Sequence, residues 1–281
     1  MIRIGKYDVS SVLFGNFRLD GGGMFGVVPK TLWEKTNPAD AKNRILMALR
    51  GLLIRGMGRT ILVDTGIGHH WDSKFIDRYT VDYSAYTLQA SLEKQGVKFG
   101  DVTDVILSHL HFDHVGGVVQ IDERGPALTF QNANHYVQRS QLNYAGAPSE
   151  RDRASFFSKI IEPLCSHGKI QAMEGGFEMI PGVDVVVSHG HTPGQQMVKV
   201  SDGKLTVMYC GDTIPTASHI PLPYIASFDL EPMKTMEEKK IILEQAVRDK
   251  WILVWDHDPL ASASTVRWSG GKFEKNQDVT L

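Results

Sequence analysis

Cysteine is nearly missing from this chain: Cys165 and Cys210 are the two in 281 residues. That excludes a disulfide framework, and their positions exclude a CxxC metal knuckle. An excess of charge of one sign is missing too. Lys+Arg 30 against Asp+Glu 32 leaves a formal net charge of −2, without the basic footprint of a nucleic-acid-binding surface. Glu237-Glu238-Lys239-Lys240 mixes its signs and reads as a solvated helix face. No run approaches the ~18 apolar residues of a membrane span, and the N-terminus lacks the apolar region of a secretory signal. The default compartment is therefore cytoplasmic, with no membrane partner. Low-complexity linkers and short repeats are absent, so residues 1–281 are expected to form a single domain.

What is present is an ordinary globular balance, 42% hydrophobic and 22% charged. Apolar, β-branched runs predict strands within Ile2–Leu19, a hairpin from Arg44–Ile54 and Thr60–Val63 turned at Gly56-Met57-Gly58, a strand at Asp104–Leu107, and strands at Ala127–Phe130 and His135–Val137. Helices are expected over Thr87–Gln95, Ser155–Leu164 and Met233–Asp249. A second strand series covers Phe177–Ile180, Val183–Val187, Gln196–Val200, Lys204–Tyr209 and Trp251–Trp255, and Thr265–Phe273 forms a closing hairpin. Strand runs interleaved with helices indicate a layered α/β fold. Asp20–Pro29 carries four glycines in six residues and reads as a tight loop rather than regular structure. It is either a surface turn or, given Met24, Phe25, Val27 and Val28, a segment folded over a pocket.

The densest chemistry lies at Ser108–Gly117, SHLHFDHVGG, just after the apolar run Val105-Ile106-Leu107. His109 and His111 are two apart and, in an extended loop, point to one side. Asp113 and His114 follow, so that four ligand-type residues fall within six positions. A catalytic zinc usually takes three protein ligands and keeps one open position, so this oversupply favours two ions. The missing ligands are His191, Asp212 and His257, each of which follows a predicted strand. Loops after strands are where function sits on a rigid scaffold.

These elements resemble the metallo-β-lactamase superfamily: LVDTG at Leu62–Gly66, HLHFDH at His109–His114, SHGHTPG at Ser188–Gly194, GDT at Gly211–Thr213, and the late His257. The resemblance implies a four-layer αβ/βα sandwich. It assigns His109, His111 and His191 to a first metal, Asp113, His114 and His257 to a second, and Asp212 as the bridge. It makes Asp64 a partner that orients the ligand loop. Imidazole and carboxylate ligands suit Zn(II), and also Mn, Fe or Co. Two such ions activate water and clamp an electrophile. The expected reaction is hydrolysis in which a metal-bound hydroxide attacks an ester or lactone carbonyl, with Asp113 or Asp212 delivering a proton to the leaving group.

Within the superfamily, Leu19–Pro29 with Trp33 is similar to the quorum-quenching N-acyl homoserine lactonases and to the methyl-parathion-hydrolase type. Lactone opening is the expected activity, and a phosphotriester, an aryl ester or a glyoxalase II-like thioester is the alternative substrate. Met24, Phe25, His219 and Tyr224 are the candidate substrate pocket. Such lactonases often carry a tyrosine three residues after the bridging aspartate; here that position is Pro215, and His219 or Tyr224 stands in. The branch is commonly homodimeric. Redox relatives place Glu where His111 stands, which disfavours that class. A protein keeping the loop only as structure would lose stability but no turnover on metal removal. Among the remaining histidines, His69 and His70 read as a solvated loop or the mouth of the site, and His135, His167 and His189 as structural or surface residues. Trp33, Trp71 and Trp255 read as core.

Overall fold

The computed structural model describes all residues, Met1–Leu281. They form two compact units, Met1–Gly15 with Leu49–Gly175, and Asn16–Ala48 with Gly176–Leu281. A seven-stranded sheet contains β1 (Ile2–Ile4), β2 (Tyr7–Asp20), β3 (Arg44–Gly56), β4 (Arg59–Val63), β5 (Asp104–Ile106), then, after the small hairpin β6 (Val119–Asp122) and β7 (Gly125–Leu128), β8 (Asn134–Gln138) and β9 (Ile170–Met173). The chain passes between the units within β2 and β3. β3 and β4 are antiparallel, with Gly56 opposite Arg59. Met57 and Gly58 therefore form the turn, at φ 50 and 74, the left-handed pair that suits a tight hairpin. From β4 through β5 and β8 to β9 the pairing is parallel. β5 is buried throughout, as central parallel strands with apolar character should be.

The second unit's sheet runs in simple order through β10 (Phe177–Ile180), β11 (Val183–Ser188), β12 (Gln195–Ser201), β13 (Thr206–Tyr209), β14 (Ile252–Val254), β15 (Ala263–Ser269) and β16 (Lys272–Val279). Its one parallel pair is β13–β14. The helices are α1 (Gly21–Phe25), α2 (Lys30–Trp33), α3 (Ser73–Tyr79), α4 (Leu88–Lys94), α5 (Phe112–Val115), α6 (Arg139–Gly146), α7 (Ser158–Ser166) and α8 (Pro232–Asp249). α8 provides the crossover between β13 and β14 that parallel pairing requires. No helix is long and apolar enough to cross a membrane.

Three sequence expectations are corrected here. The glycine-rich stretch is not irregular: Gly21–Phe25 is a short helix capped by the Asp20 side chain, which accepts from Gly23 N at 2.7 Å. Its glycines answer to packing. A Cβ at Gly21 would lie 2.4 Å from the Trp33 ring, and one at Gly23 2.7 Å from Phe228. The segment Glu237–Lys240 is not a uniformly solvated face either. α8 buries Thr235, Lys239, Ile242, Leu243 and Ala246, a helical 3–4 spacing, while Ile241 is 63% exposed. Trp33 and Trp255 are core as expected, whereas Trp71 is half-buried and stacks on Phe75 at 3.8 Å.

His135 on β8 is fully buried, and burial pulls its pKa from 6.5 down to about 4. The folded imidazole thus stays neutral where the unfolded one takes a proton. Stability should be intact above about pH 6.5 and fall as pH drops toward 4, by at most about 3 kcal/mol. Urea titrations across that window should show a slope in the wild type and a shallower one in His135→Leu, since half-buried His70 and buried His219 contribute in the same direction.

Candidate metal centre

In the first unit the centre is built on two strand ends. β5 delivers Ser108–Asp113, and β4 delivers Asp64, which sits at φ 60. Asp64 Oδ1 accepts Ser108 N at 2.6 Å, and its Oδ2 accepts Ser108 Oγ at 2.7 Å and faces His114 Nδ1 at 2.9 Å. Ser108 Oγ in turn lies 3.0 Å from His109 Nδ1. One carboxylate thereby orients the backbone of the loop and two of its imidazoles. The Thr65 N–H and hydroxyl both donate to His114 O, at 2.8 and 2.9 Å. The following Gly116 is required because a Cβ there would lie 1.9 Å from Ile67 O. His109 Nε2 and His111 Nδ1 converge to 2.9 Å. Asp113 Oδ2 stands 3.8 Å from His114 Nε2.

In the second unit, His191 follows β11 in a loop pinned by Glu238 of α8. That carboxylate accepts Ser188 Oγ, His189 N and Gly190 N at 2.7, 2.9 and 3.1 Å. His191 Nδ1 lies 2.8 Å from Asp229 Oδ1, and its Nε2 3.2 Å from Asp212 Oδ2. His257 follows β14, with Nδ1 2.8 Å from Ala48 O and Nε2 3.1 Å from Asp212 Oδ1. The two oxygens of Asp212 therefore face one imidazole each.

This geometry tests whether the donors fit metal ions. A carboxylate or carbonyl oxygen accepts only, so Nδ1 of His114, His191 and His257 carries the proton when the ring is neutral. Each Nε2 then presents a lone pair. For His191 and His257 that lone pair faces an Asp212 oxygen, an arrangement that repels unless positive charge is shared among them. The carboxylate- or carbonyl-fixed imidazole is the pattern of metal-ligating histidine. Within the second unit the ligand atoms of Asp212, Asp256 and His257 lie within 4.8 Å of one another, as do those of His191 and Asp212, and within the first unit so do those of His109 and His111. The residues fit divalent cations.

Of the expected ligands, His109, His111, His191, Asp212 and His257 converge in this way within their own units, and Asp256, unforeseen from the sequence, joins Asp212 and His257. Asp229 and Glu238 were also missed, since no motif marks them. The signal available for Asp256 was its place beside His257. The candidate pocket is largely closed. Phe25 stacks between Trp33 and His219 at 5.3 and 4.5 Å, and Met24, Phe25 and His219 are buried. Both His219 ring nitrogens are engaged, Nδ1 with Thr216 Oγ1 at 2.7 Å and Nε2 with Met24 O at 2.8 Å. Burial draws the His219 pKa down to about 3. Tyr224 alone of the four keeps exposed surface, its ring edge-on to Phe25 at 6.0 Å. His70 is half-buried, with its pKa lowered by burial to about 4.

The family model for the metallo-beta-lactamase superfamily matches residues 52–257. The chain belongs to that superfamily. An N-acyl homoserine lactonase of Bacillus cereus is 27% identical over 213 residues, 70% of this chain and 76% of the relative. One from Bacillus thuringiensis is 29% identical, over 59% of this chain and 60% of the relative. A probable metal-dependent hydrolase from Staphylococcus aureus superimposes with a TM-score of 0.87 at 26% identity, covering 99% of this chain and all, 100%, of that one. The dizinc quorum-quenching lactonase AidC has the same fold, with a TM-score of 0.82 at 22% identity over 100% of this chain and 97% of that one. This superfamily member is thus an enzyme, a metallo-hydrolase with the metallo-β-lactamase fold and a His/Asp metal site.

Proposed function

We propose that the enzyme is a dinuclear, metal-dependent hydrolase that opens N-acyl homoserine lactone-type rings. The observation that carries this reading is Asp212, whose two carboxylate oxygens face His191 and His257 at 3.2 and 3.1 Å. His109, His111 and His191 would hold one ion, and His114, His257 and Asp113 the other, with Asp212 shared and Asp256 close to the second. Zn(II) is the proposed metal. When bound, the pair supplies activated water and Lewis-acid polarisation of the carbonyl. The protein's part is positional. Asp229, Ala48 O and Asp64 hold the Nδ1 protons of His191, His257 and His114, which keeps each Nε2 available. Asp113, buried beside His114, and Asp212 are the carboxylates suited to passing a proton to the leaving alkoxide.

The lactone assignment draws on the lactonase relatives. With Pro215 in the place of the usual tyrosine and His219 spent on its own hydrogen bonds, Tyr224 is the hydroxyl proposed to meet the substrate carbonyl. The cytoplasm is the proposed compartment and a homodimer the proposed assembly. The test joins metal analysis to a panel of acyl homoserine lactones, a phosphotriester, an aryl ester and a glutathione thioester. Close to two metal ions per chain and fastest turnover of the lactones are expected. Chelation should abolish that turnover and metal should restore it. Preference for the phosphotriester or thioester would replace the lactone reading, and a metal-free protein from metal-replete medium would end the dinuclear one.

A further inference from the structure

Lys239 has no role in the chemistry above, yet it is a fully buried lysine on α8. Its Nζ donates to His219 O at 2.9 Å, Pro221 O at 3.0 Å and Tyr224 O at 2.8 Å. An ammonium has three donors, and all three go to a single six-residue stretch of backbone. Burial lowers the Lys239 pKa to about 7, opposed by the nearby Asp229 carboxylate. An apolar side chain would pack at this position without that desolvation, so the cation must be explained by what it holds.

The segment it holds begins and ends at the metal centre. It runs from Asp212 through the short turns Gly211–Thr213 and Ala217–His219 to Asp229, which orients His191. It contains no strand and no α-helix, so its inward carbonyls have no ladder partners and need others. Its other ties lie mostly outside 219–224: Gln195 Nε2 to Thr213 Oγ1 at 2.6 Å, Thr213 Oγ1 to Ser188 Oγ at 3.2 Å, His257 N to Pro215 O at 3.0 Å, Ala217 N to Asp258 Oδ2 at 3.0 Å, His219 Nε2 to Met24 O at 2.8 Å, and Ser227 N to Gly23 O at 2.8 Å. Tyr224, the proposed substrate-facing hydroxyl, sits on one of the three carbonyls that Lys239 gathers.

We propose that Lys239 is a positioning residue of the enzyme, a buried ammonium that fixes the 219–224 backbone and thereby sets both Tyr224 at the substrate and Asp229 behind His191. The kinetic part rests on the hydrolase reading above; the structural part does not. No regular secondary structure does this work at 219–224. Pro221 O also accepts Tyr224 N at 3.0 Å, but a side chain with fewer donors leaves the carbonyl of His219 or Tyr224 unsatisfied.

The experiment compares wild type, Lys239→Met and Lys239→Arg, each loaded with metal, by hydrogen exchange with mass spectrometry, metal analysis and steady-state kinetics well below the melting temperature. In Lys239→Met, amide exchange across 216–229 should quicken about tenfold or more while β11 to β13 stay unchanged. On the substrate the wild type prefers, kcat/KM should fall about tenfold, chiefly through KM, with the metal count held near that of wild type. Lys239→Arg should recover most of both losses. If Lys239→Met does not fold, Lys239→Gln, which keeps two donors, is held to the same criteria. Unchanged exchange in 216–229, or a rise spread evenly over the chain, overturns the proposal, as do wild-type kinetics in a less stable variant. A wild type inactive on the whole panel would count against the hydrolase reading instead, and the exchange data would still decide the role of Lys239.

Discussion

Asp212→Ala should lower kcat by about 10³-fold or more, the scale set by losing the proposed metal bridge and the proposed proton-transfer group together. In the native protein one carboxylate faces two imidazoles, Oδ2 toward His191 Nε2 and Oδ1 toward His257 Nε2. Alanine removes the negative charge shared by both ligand groups. The metal count should therefore drop from near two toward one, with the weaker ion lost on dialysis. Asp212→Asn separates charge from shape: it preserves volume but offers one acceptor oxygen, so it too should fail to hold both ions. Metal analysis paired with single-turnover rates on the preferred substrate is the decisive measurement. Two firmly bound ions and near-native turnover in Asp212→Ala would remove the bridge from the mechanism.

Asp64→Ala should have the second-largest effect, through a residue assigned no direct contact with metal or substrate. Its carboxylate accepts Ser108 N and Ser108 Oγ and fixes His114 Nδ1. Ser108 Oγ passes that constraint to His109. Partners of this kind are typically worth about 10–100-fold in metal affinity, and each buried donor left unpaired costs about 1–3 kcal/mol. Three donors are involved here. The variant should lose several kcal/mol of stability without metal and recover part of it as metal is added, because an ion that binds only the folded chain stabilises it by mass action. Asp64 also sits at φ 60, so Asp64→Asn, which tolerates that conformation, separates backbone strain from lost orientation. Calorimetry with and without added metal reads both contributions. Equal metal affinity in Asp64→Ala and wild type would show that the ligand loop holds itself.

The candidate ligands were legible because each is announced locally. An apolar strand ends, a short polar loop begins, and the side chains that follow have little else to do at the end of a buried strand. Hence His109, His111, His114, His191, Asp212 and His257 were all named from the sequence as candidate ligands. The hairpin at Met57-Gly58 and most strands of both halves were legible for the same reason, though β6 and β9 were not named. Failures came where a residue's environment is set by distant partners. Four glycines in six residues read as a loop, but Asp20 caps a helix there and Trp33 and Phe228 leave no room for a Cβ. Glu238 and Lys239 read as solvated, yet one pins the His191 loop and the other gathers three carbonyls.

By itself, then, the sequence determined the fold class and the reaction class and marked the candidate ligands, because short motifs after apolar strands carry them. Only the tertiary structure decided how the ligands are held: Asp229 behind His191, 38 residues apart in sequence, and Ala48 O behind His257, 209 apart. It also decided which polar side chains lie in the interior. Desolvation depends on what packs against a group from elsewhere in the chain, and a neutral-looking helix surface carries no mark of it until the chain is folded.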